Sequence, residues 1–139
     1  MHAMAIRTFT DLLAAAQSQQ EPQRLLLVFA VAELPRDSSA EERAAFERGE
    51  GGALTPVVCV DKLASEIGSF EALRAESRRA ISRWDILFIA ALDGRAGVAP
   101  NPDEAAGPLR MMVESIKAGR VGEFLAVDRD GGLVRLQRG

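Results

Sequence analysis

The chain has 139 residues, of which 47% are hydrophobic and 27% charged, with a formal net charge of −3. This is the composition of one folded globular domain, and the lack of a basic excess argues against non-specific nucleic-acid binding. A single cysteine excludes an internal disulfide and a multi-cysteine zinc site, and a single histidine, at position 2, excludes a Ser-His-Asp triad in the folded body.

The first half of the chain predicts two helices and two strands after a loose N-terminus over residues 1–7. Thr8 has the character of an N-cap, and Ser39 with Glu42 forms a capping-box pattern. The run Leu25–Ala32 is apolar throughout, as expected of a strand covered on both faces. The predicted elements are a helix from Thr8, a strand over Leu25–Ala32, a helix over Ser39–Arg48 and a strand over Thr55–Val60.

The second half predicts two more helices, a third strand and a closing hairpin. Pro108 suits the first position of a helix, and Asp130 with Gly131 lies between two apolar runs as in an antiparallel hairpin. The predicted elements are a helix over Phe70–Ile81, a strand over Trp84–Leu92, a long loop over Asp93–Gly107, a helix from Pro108, and hairpin strands over Phe124–Asp128 and Leu133–Leu136.

The alternation of helices and strands predicts an α/β fold in a single domain over residues 8–139. Strands separated by helices favour parallel pairing, whereas a tight hairpin requires antiparallel pairing. We therefore expect a mixed sheet of four or five strands with a parallel core and a C-terminal antiparallel hairpin. The third strand should be central, and Phe88 on it should be buried.

Polar side chains follow the ends of the three predicted parallel strands. Glu33 follows the first strand, Asp61 and Lys62 follow the second, and Asp93 and Arg95 follow the third. Ligands of open α/β sheets bind beyond the carboxyl ends of the strands, so these five residues form the predicted ligand edge. Acids placed in this way can hold Mg²⁺, although aspartates at strand ends also occur simply because they favour turns.

Three further features have a structural and a functional interpretation. Gly49–Gly52 follows a helix and precedes a strand, an order that fits a helix stop rather than a phosphate loop. Cys59 lies in the middle of a predicted strand and should be a buried apolar residue. Four arginines on and after the third helix either form a solvated face paired with Glu71 and Glu76 or make an anion or partner patch: Arg74, Arg78, Arg79 and Arg83.

Most of the chain resembles a family of small bacterial proteins that often carry the label "ribonucleotide reductase subunit alpha". The resemblance rests on Gly49–Lys62, Trp84–Gly94, Met112–Gly119 and the arrangement of the closing hairpin. The family has no established activity, so it implies no site residues. The label does not describe this chain, because the catalytic subunit of that enzyme is a large barrel that uses several cysteines, whereas this chain has one cysteine and no tyrosine.

The order of strands and helices also looks like that of a thioredoxin fold. The loop Glu33–Asp37 lacks the Cys-x-x-Cys motif, and Arg120–Glu123 lacks the proline that supports the active site of that fold. A thioredoxin-like scaffold is compatible with these departures, whereas dithiol redox activity is not.

The sequence contains no nucleophile–base pair, no ligand cluster and no phosphate loop. We therefore expect a non-enzymatic binding or interaction module, accessory or regulatory, with a protein or small molecule as partner. The alternative is a small metal-dependent enzyme acting on a phosphorylated or acidic metabolite. We expect a cytoplasmic bacterial protein with no cofactor and no nucleic-acid or membrane partner.

A homodimer is slightly favoured over a monomer, because two-fold dimers are the commonest soluble assembly. Nothing in the sequence after Leu133–Leu136 is long enough to cover that strand, but Arg135 and Arg138 discourage pairing between copies along it. A dimer should therefore form through a helix face or through the loop Asp93–Gly107.

Overall fold

A computed structural model of the chain describes residues 5–48 and 52–136. The order of elements is the predicted one, with one additional short 3₁₀ helix after the second strand. The elements are α1 (Phe9–Gln17), β1 (Gln23–Glu33), α2 (Ala40–Glu47), β2 (Ala53–Leu63), the 3₁₀ helix Ala64–Glu66, α3 (Phe70–Ser77), β3 (Ile86–Asp93), α4 (Pro102–Lys117), β4 (Leu125–Val127) and β5 (Leu133–Val134). Over the described ranges, no helix has the length and apolarity needed to span a membrane.

The described strands form one five-stranded sheet in the order β2-β1-β3-β4-β5, and every neighbouring pair is antiparallel. The predicted parallel core is therefore wrong. A parallel connection needs a crossover element that packs on the sheet, but α2 has only eight residues and none of them is buried. α2 lies within the connection at one end of the sheet, so β1 and β2 form an antiparallel hairpin with a long loop.

Other predictions about the sheet are confirmed. The third strand is central in the sheet, and Phe88 on it is fully buried. The C-terminal hairpin is also present, with Val127 of β4 paired to Leu133 of β5. The prediction that β1 is covered on both faces is also confirmed, because Leu25–Ala30 is buried throughout.

The sheet separates two hydrophobic cores, which we call the α1/α3 core and the α4 core. Alternate residues of β1 point to opposite faces, so Leu25 and Leu27 enter the first core and Leu26 and Val28 the second. The α1/α3 core also contains Phe9, Leu12, Phe70, Leu73 and Trp84, and the α4 core contains Phe88, Ala105, Met112, Ile116 and Ala126.

The outer edge of β5 is partly covered, contrary to prediction. The backbone N–H of Leu133 donates to the carbonyl of Arg7 at 2.8 Å, and Thr8 forms an antiparallel bridge with Gly132. Ile6 packs against the α1/α3 core, so the described part of the predicted loose N-terminus is held against the domain. Residues 1–4 and 137–139 lie outside the described ranges.

The helix boundaries differ from the predicted ones at two places. α3 ends at Ser77 rather than near Ile81, and α4 begins at Pro102 rather than at Pro108. Asn101 caps α4 in a capping box with Glu104, and this local signal outweighs Pro108, which is accommodated inside the helix. The predicted loop over 93–107 is therefore shorter.

The environment of Cys59 was predicted wrongly. It lies on β2, which is the strand at one edge of the sheet, and its side chain is exposed. Gly49, predicted as the C-cap of α2, and the rest of Gly49–Gly51 lie outside the described residues.

Candidate functional site

Antiparallel pairing separates the residues that were predicted to share one edge. Asp61 pairs with Leu26 near the start of β1, whereas Glu33 pairs with Ala53 at the end of that strand. A rise of ~3.4 Å per residue puts these two levels about 24 Å apart. The predicted edge assumed parallel strands, and the structure does not bring Glu33 to the other acids.

Asp61 and Asp93 lie at the same end of the sheet but on opposite faces. Asp61 pairs with Leu26, which faces the α4 core. Asp93 pairs with Gln23, which is two residues before Leu25 and therefore faces the α1/α3 core. Their strands are also separated by β1. Across residues 5–48 and 52–136, no group of three or more His, Cys, Asp or Glu could hold a metal ion.

Asp61 and Lys62 at that end are engaged in structural contacts. Asp61 accepts a hydrogen bond from Nη1 of the buried Arg24 at 2.7 Å, and Nε of Arg24 donates to the carbonyl of Pro100 at 2.6 Å. Lys62 forms an ion pair with Glu76 of α3 at 2.8 Å. Arg95 lies in a tight turn in which its backbone bonds to that of Val98.

A different set of residues encloses a polar cavity on the α1/α3 side of the sheet. The cavity has a volume of about 120 Å³ and lies between the end of α3, the segment before β3 and the β4–β5 turn. Four of its seven lining residues are arginines. The lining residues are Arg74, Arg78, Ile81, Ser82, Arg83, Trp84 and Arg129. We call it the arginine cavity.

The helical period and a short chain of hydrogen bonds position the α3 wall of this cavity. Arg74 and Arg78 are four residues apart, so they project on one side of α3. The indole N–H of Trp84 donates to the hydroxyl of Ser77 at 3.0 Å, and that hydroxyl donates to the carbonyl of Arg74 at 2.6 Å. Trp84 also packs edge-on against Phe29, with ring centroids 5.1 Å apart. The buried indole thereby fixes the end of α3 against the sheet.

The β4–β5 turn brings Arg129 to the cavity. Asp128 accepts hydrogen bonds from the backbone N–H groups of Asp130 and Gly132, which fixes the turn. Gly131 has a φ of +86°, and a side chain there would meet the ring of Phe70 at 3.0 Å, so the turn packs closely on α3. The carbonyl of Arg129 accepts a hydrogen bond from Nη1 of Arg74 at 3.1 Å, which joins the two walls directly.

Arg83 is the one cavity arginine with a carboxylate partner among the described residues. Its Nη2 lies 2.9 Å from Oδ2 of Asp85 and 3.2 Å from the carbonyl of Ala32. The same carboxylate oxygen accepts the backbone N–H of Ala32 at 2.8 Å. These contacts tie Arg83 to the end of β1.

The cavity arginines perturb the pKa of this carboxyl group. Burial acts to raise the pKa of Asp85, but the hydrogen bonds from Arg83 and Ala32, with the positive charges of Arg83 and Arg129, lower it below its usual value near 3.8. The hydrogen bond and charge of Asp85 in turn raise the pKa of Arg83. Asp85 is therefore ionised at neutral pH and engaged with Arg83.

The remaining cavity arginines form no ion pair within the described residues. Arg74 bonds to a carbonyl, and in the described part of the chain Arg78 and Arg129 have no hydrogen-bond or ion-pair partner for their guanidinium groups. Neither predicted pair, Glu71 with Arg74 or Glu76 with Arg79, forms an ion pair within the described residues, because Arg74 bonds to a carbonyl and Glu76 to Lys62. Positive charge thus converges on one cavity in a chain with a net charge of −3.

Three of the four cavity arginines are predictable as a group from the sequence, whereas Arg129 is not. Arg74, Arg78 and Arg83 were grouped by their proximity along the chain, but Arg79, grouped with them, lies on the other side of α3. Arg129 is remote in sequence, and its only local signal is its place in a tight turn. Sheet order, which brings that turn beside α3, was needed to find it.

A larger cavity, of about 330 Å³, lies on the opposite side of α3. Its floor is apolar and includes Phe29, Val58, Val60 and Leu73, and the Lys62–Glu76 ion pair lies among its lining. Of its described charged lining residues, Lys62 and Glu76 are paired with each other and Arg79 is the remaining one, which distinguishes it from the arginine cavity.

Comparisons with protein-family models, with curated proteins and with solved structures gave no match. The assignment of a site therefore depends on the geometry and charges described above.

Proposed function

We propose that the protein is a non-enzymatic binding module that recognises an anionic group of its ligand or partner in the arginine cavity. The observation that supports this function is the convergence of Arg74, Arg78, Arg83 and Arg129, from three segments of the chain, on one small cavity. Guanidinium groups donate up to five hydrogen bonds in a fixed geometry and match carboxylate and phosphate oxygens.

The composition of the cavity wall supports binding rather than catalysis. The lining residues are arginine, isoleucine, serine and tryptophan, and none is a histidine, cysteine, aspartate, glutamate or lysine. Arginine stays protonated in proteins and therefore cannot serve as a general base near neutral pH. A wall of this kind can hold and orient an anion but has no group that accepts a proton from a reactant.

The alternative of a metal-dependent enzyme depended on Glu33, Asp61 and Asp93 as shared ligands. The separation of these residues along β1 and across its two faces removes the geometric basis for that proposal. The proposal of an anion-binding module needs no metal ion.

Titration of the intrinsic fluorescence tests this function directly. The chain has one tryptophan and no tyrosine, so the signal reports on Trp84, which lines the cavity. Sulfate replacing chloride at constant ionic strength should change this signal saturably. The Arg78→Ala/Arg129→Ala variant should bind sulfate at least about tenfold more weakly, because each lost charge-assisted hydrogen bond contributes roughly 1.5–3 kcal/mol.

A matched control separates local recognition from overall charge. Arg110→Ala/Arg120→Ala removes the same charge from exposed positions on and just after α4, which packs on the other core. This control should bind sulfate as the wild type does. Equal weakening in both double variants, or no saturable change in the wild type, would overturn the proposed function.

A further inference from the structure

We propose that the anionic group taken by the arginine cavity is the dianion of a phosphate monoester; this inference rests on the proposed function and specifies its ligand. Among the cavity arginines of the described chain, only Arg83 forms an ion pair, and its partner is Asp85. Arg74, Arg78 and Arg129 remain positively charged and form no ion pair within the described residues. A carboxylate would compensate one of these three charges, whereas a phosphate dianion compensates two.

The directions from which the arginines approach also favour a tetrahedral group. Arg74 comes from α3 and Arg78 from its C-cap, Arg83 from the segment before β3, and Arg129 from the β4–β5 turn. A carboxylate presents two oxygens in one plane, whereas a phosphate monoester presents three strong acceptor oxygens that point in different directions. Arginines that line one cavity from three segments of the chain match the second arrangement.

The size of the cavity limits what enters it. Its volume is about 120 Å³. It is well below the ~300 Å³ at which pockets begin to enclose whole small molecules. The cavity therefore accommodates a phosphate group, and the remainder of the ligand stays outside it.

The aromatic residue of the cavity does not provide a base-stacking platform. Trp84 is only 5% exposed, its ring packs against Phe29, and its N–H is taken by Ser77. Single-stranded nucleic-acid sites combine backbone contacts with exposed aromatic faces. Recognition here is thus directed at the phosphate and not at a nucleobase.

Because the groups around the cavity are arginines and carboxylates, a bound phosphate monoester is the group expected to titrate near pH 6. The facing cations are arginines, and the chain's only histidine is His2. The carboxylates on the surrounding elements are Glu33, Glu71, Glu76, Asp85, Asp128 and Asp130, of which Glu76 is paired with Lys62. A phosphate monoester has a second pKa near 6, so its dianion fraction rises from about 0.1 to about 0.9 between about pH 5 and about pH 7.

The experiment uses the Trp84 signal of the full chain with two probes that differ only in the acidic group. N-acetyl-phosphoserine amide should bind at least about tenfold more tightly than N-acetyl-glutamate amide at about pH 7. Its affinity should fall about tenfold at about pH 5, because the dianion is replaced by the monoanion. Sulfate, whose charge does not change in this range, should bind equally at both pH values, and Arg78→Ala/Arg129→Ala should weaken phosphoserine binding.

The possible failures are distinguishable. If the glutamate probe binds as tightly as the phosphoserine probe, or if sulfate binding changes with pH as much as phosphoserine binding, the phosphate assignment is overturned while the anion site stands. If none of the three probes binds, the proposed function fails as well.

Two further probes identify the source of the phosphate. Glycerol 3-phosphate represents a phosphorylated small molecule, and a Gly-Gly-phosphoserine-Gly-Gly peptide represents a phosphorylated protein. Tighter binding of the first supports a metabolite ligand, and tighter binding of the second supports a modified protein partner. Either result supports the phosphate monoester, and failure of both to bind while sulfate does would contradict it.

Discussion

The indole of Trp84 and the hydroxyl of Ser77 form a buried hydrogen bond of 3.0 Å. Because Ser77 is the last residue of α3 and Trp84 lies just before β3, this bond closes the connection between the two elements. The same hydroxyl donates to the carbonyl of Arg74, so Ser77 also fixes the backbone position of a cavity arginine.

Substitution of Ser77 should therefore affect stability and the cavity together. Ser77→Ala leaves the buried N–H of Trp84 without its acceptor, and we expect a loss of about 1–3 kcal/mol in the free energy of unfolding. Urea unfolding followed by circular dichroism measures this loss. Ser82→Ala, at an exposed position nearby, should change stability by less than ~0.5 kcal/mol, and an equally small effect at Ser77 would contradict the role given to it.

Glycine at position 131 is required by the turn that holds Arg129. Gly131→Ala forces an L-residue into φ +86° and brings its Cβ to 3.0 Å from the Phe70 ring. The left-handed backbone alone costs roughly 1–2 kcal/mol, and displacement of the turn should also weaken sulfate binding. Gly68→Ala, where a Cβ meets nothing within 4 Å, is the matched control and should leave both properties unchanged. Intact sulfate binding in Gly131→Ala would show that the turn geometry does not matter for the cavity.

The ion pair between Arg24 and Asp61 should be structural. Arg24 is 8% exposed, and Asp61→Asn removes its carboxylate partner at 2.7 Å. We expect Asp61→Asn to lower the free energy of unfolding by roughly 3 kcal/mol, because a charge is left buried without compensation. The double variant Arg24→Met/Asp61→Leu should recover most of that loss. Chemical denaturation of the single and double variants measures both values, and a double variant no more stable than Asp61→Asn would count against this account.

Asp85 should make stability depend on acidic pH. Its folded pKa lies below the usual value near 3.8, so the ionised carboxylate stabilises the fold above that value, and the contribution is lost as the pH falls through the folded pKa. Asp85→Asn should be less stable than the wild type at about pH 6, and the difference should shrink at about pH 3. Urea unfolding at the two pH values tests this, with Asp37→Asn, an exposed aspartate, as control. A difference that stays constant with pH would contradict the lowered pKa.

The positions of the elements were predictable because their signals are local. Thr8 and Ser39 cap helices as their sequence patterns indicate, and the unbroken apolar run of β1 led to a strand buried on both faces. The strand directions were not predictable in the same way. Alternating elements suggest crossovers, but whether a helix crosses the sheet depends on its packing, and α2 buries no residue.

Chain topology explains both the wrong prediction of the ligand edge and the incomplete prediction of the arginine cavity. Glu33 and Asp61 were grouped on the assumption of parallel strands, so the antiparallel register separated them. The arginines of α3 were visible in the sequence, but their meaning depended on Arg129, which only the tertiary structure brings beside them. Local chemistry identified the residue types, whereas topology decided which of them meet.

The central position of β1 and β3 has a consequence for how fast the chain folds. Leu27 of β1 pairs with Val60 of β2 and also with Ile89 of β3, which is synthesised much later. The second pairing closes a long loop, whose entropy cost must be met before its contacts stabilise the sheet. Sheets with partners this distant in sequence fold in milliseconds to seconds rather than microseconds. Until β3 arrives, the apolar side chains of β1 have only a hairpin partner, so this interval is when the nascent chain is most exposed to aggregation.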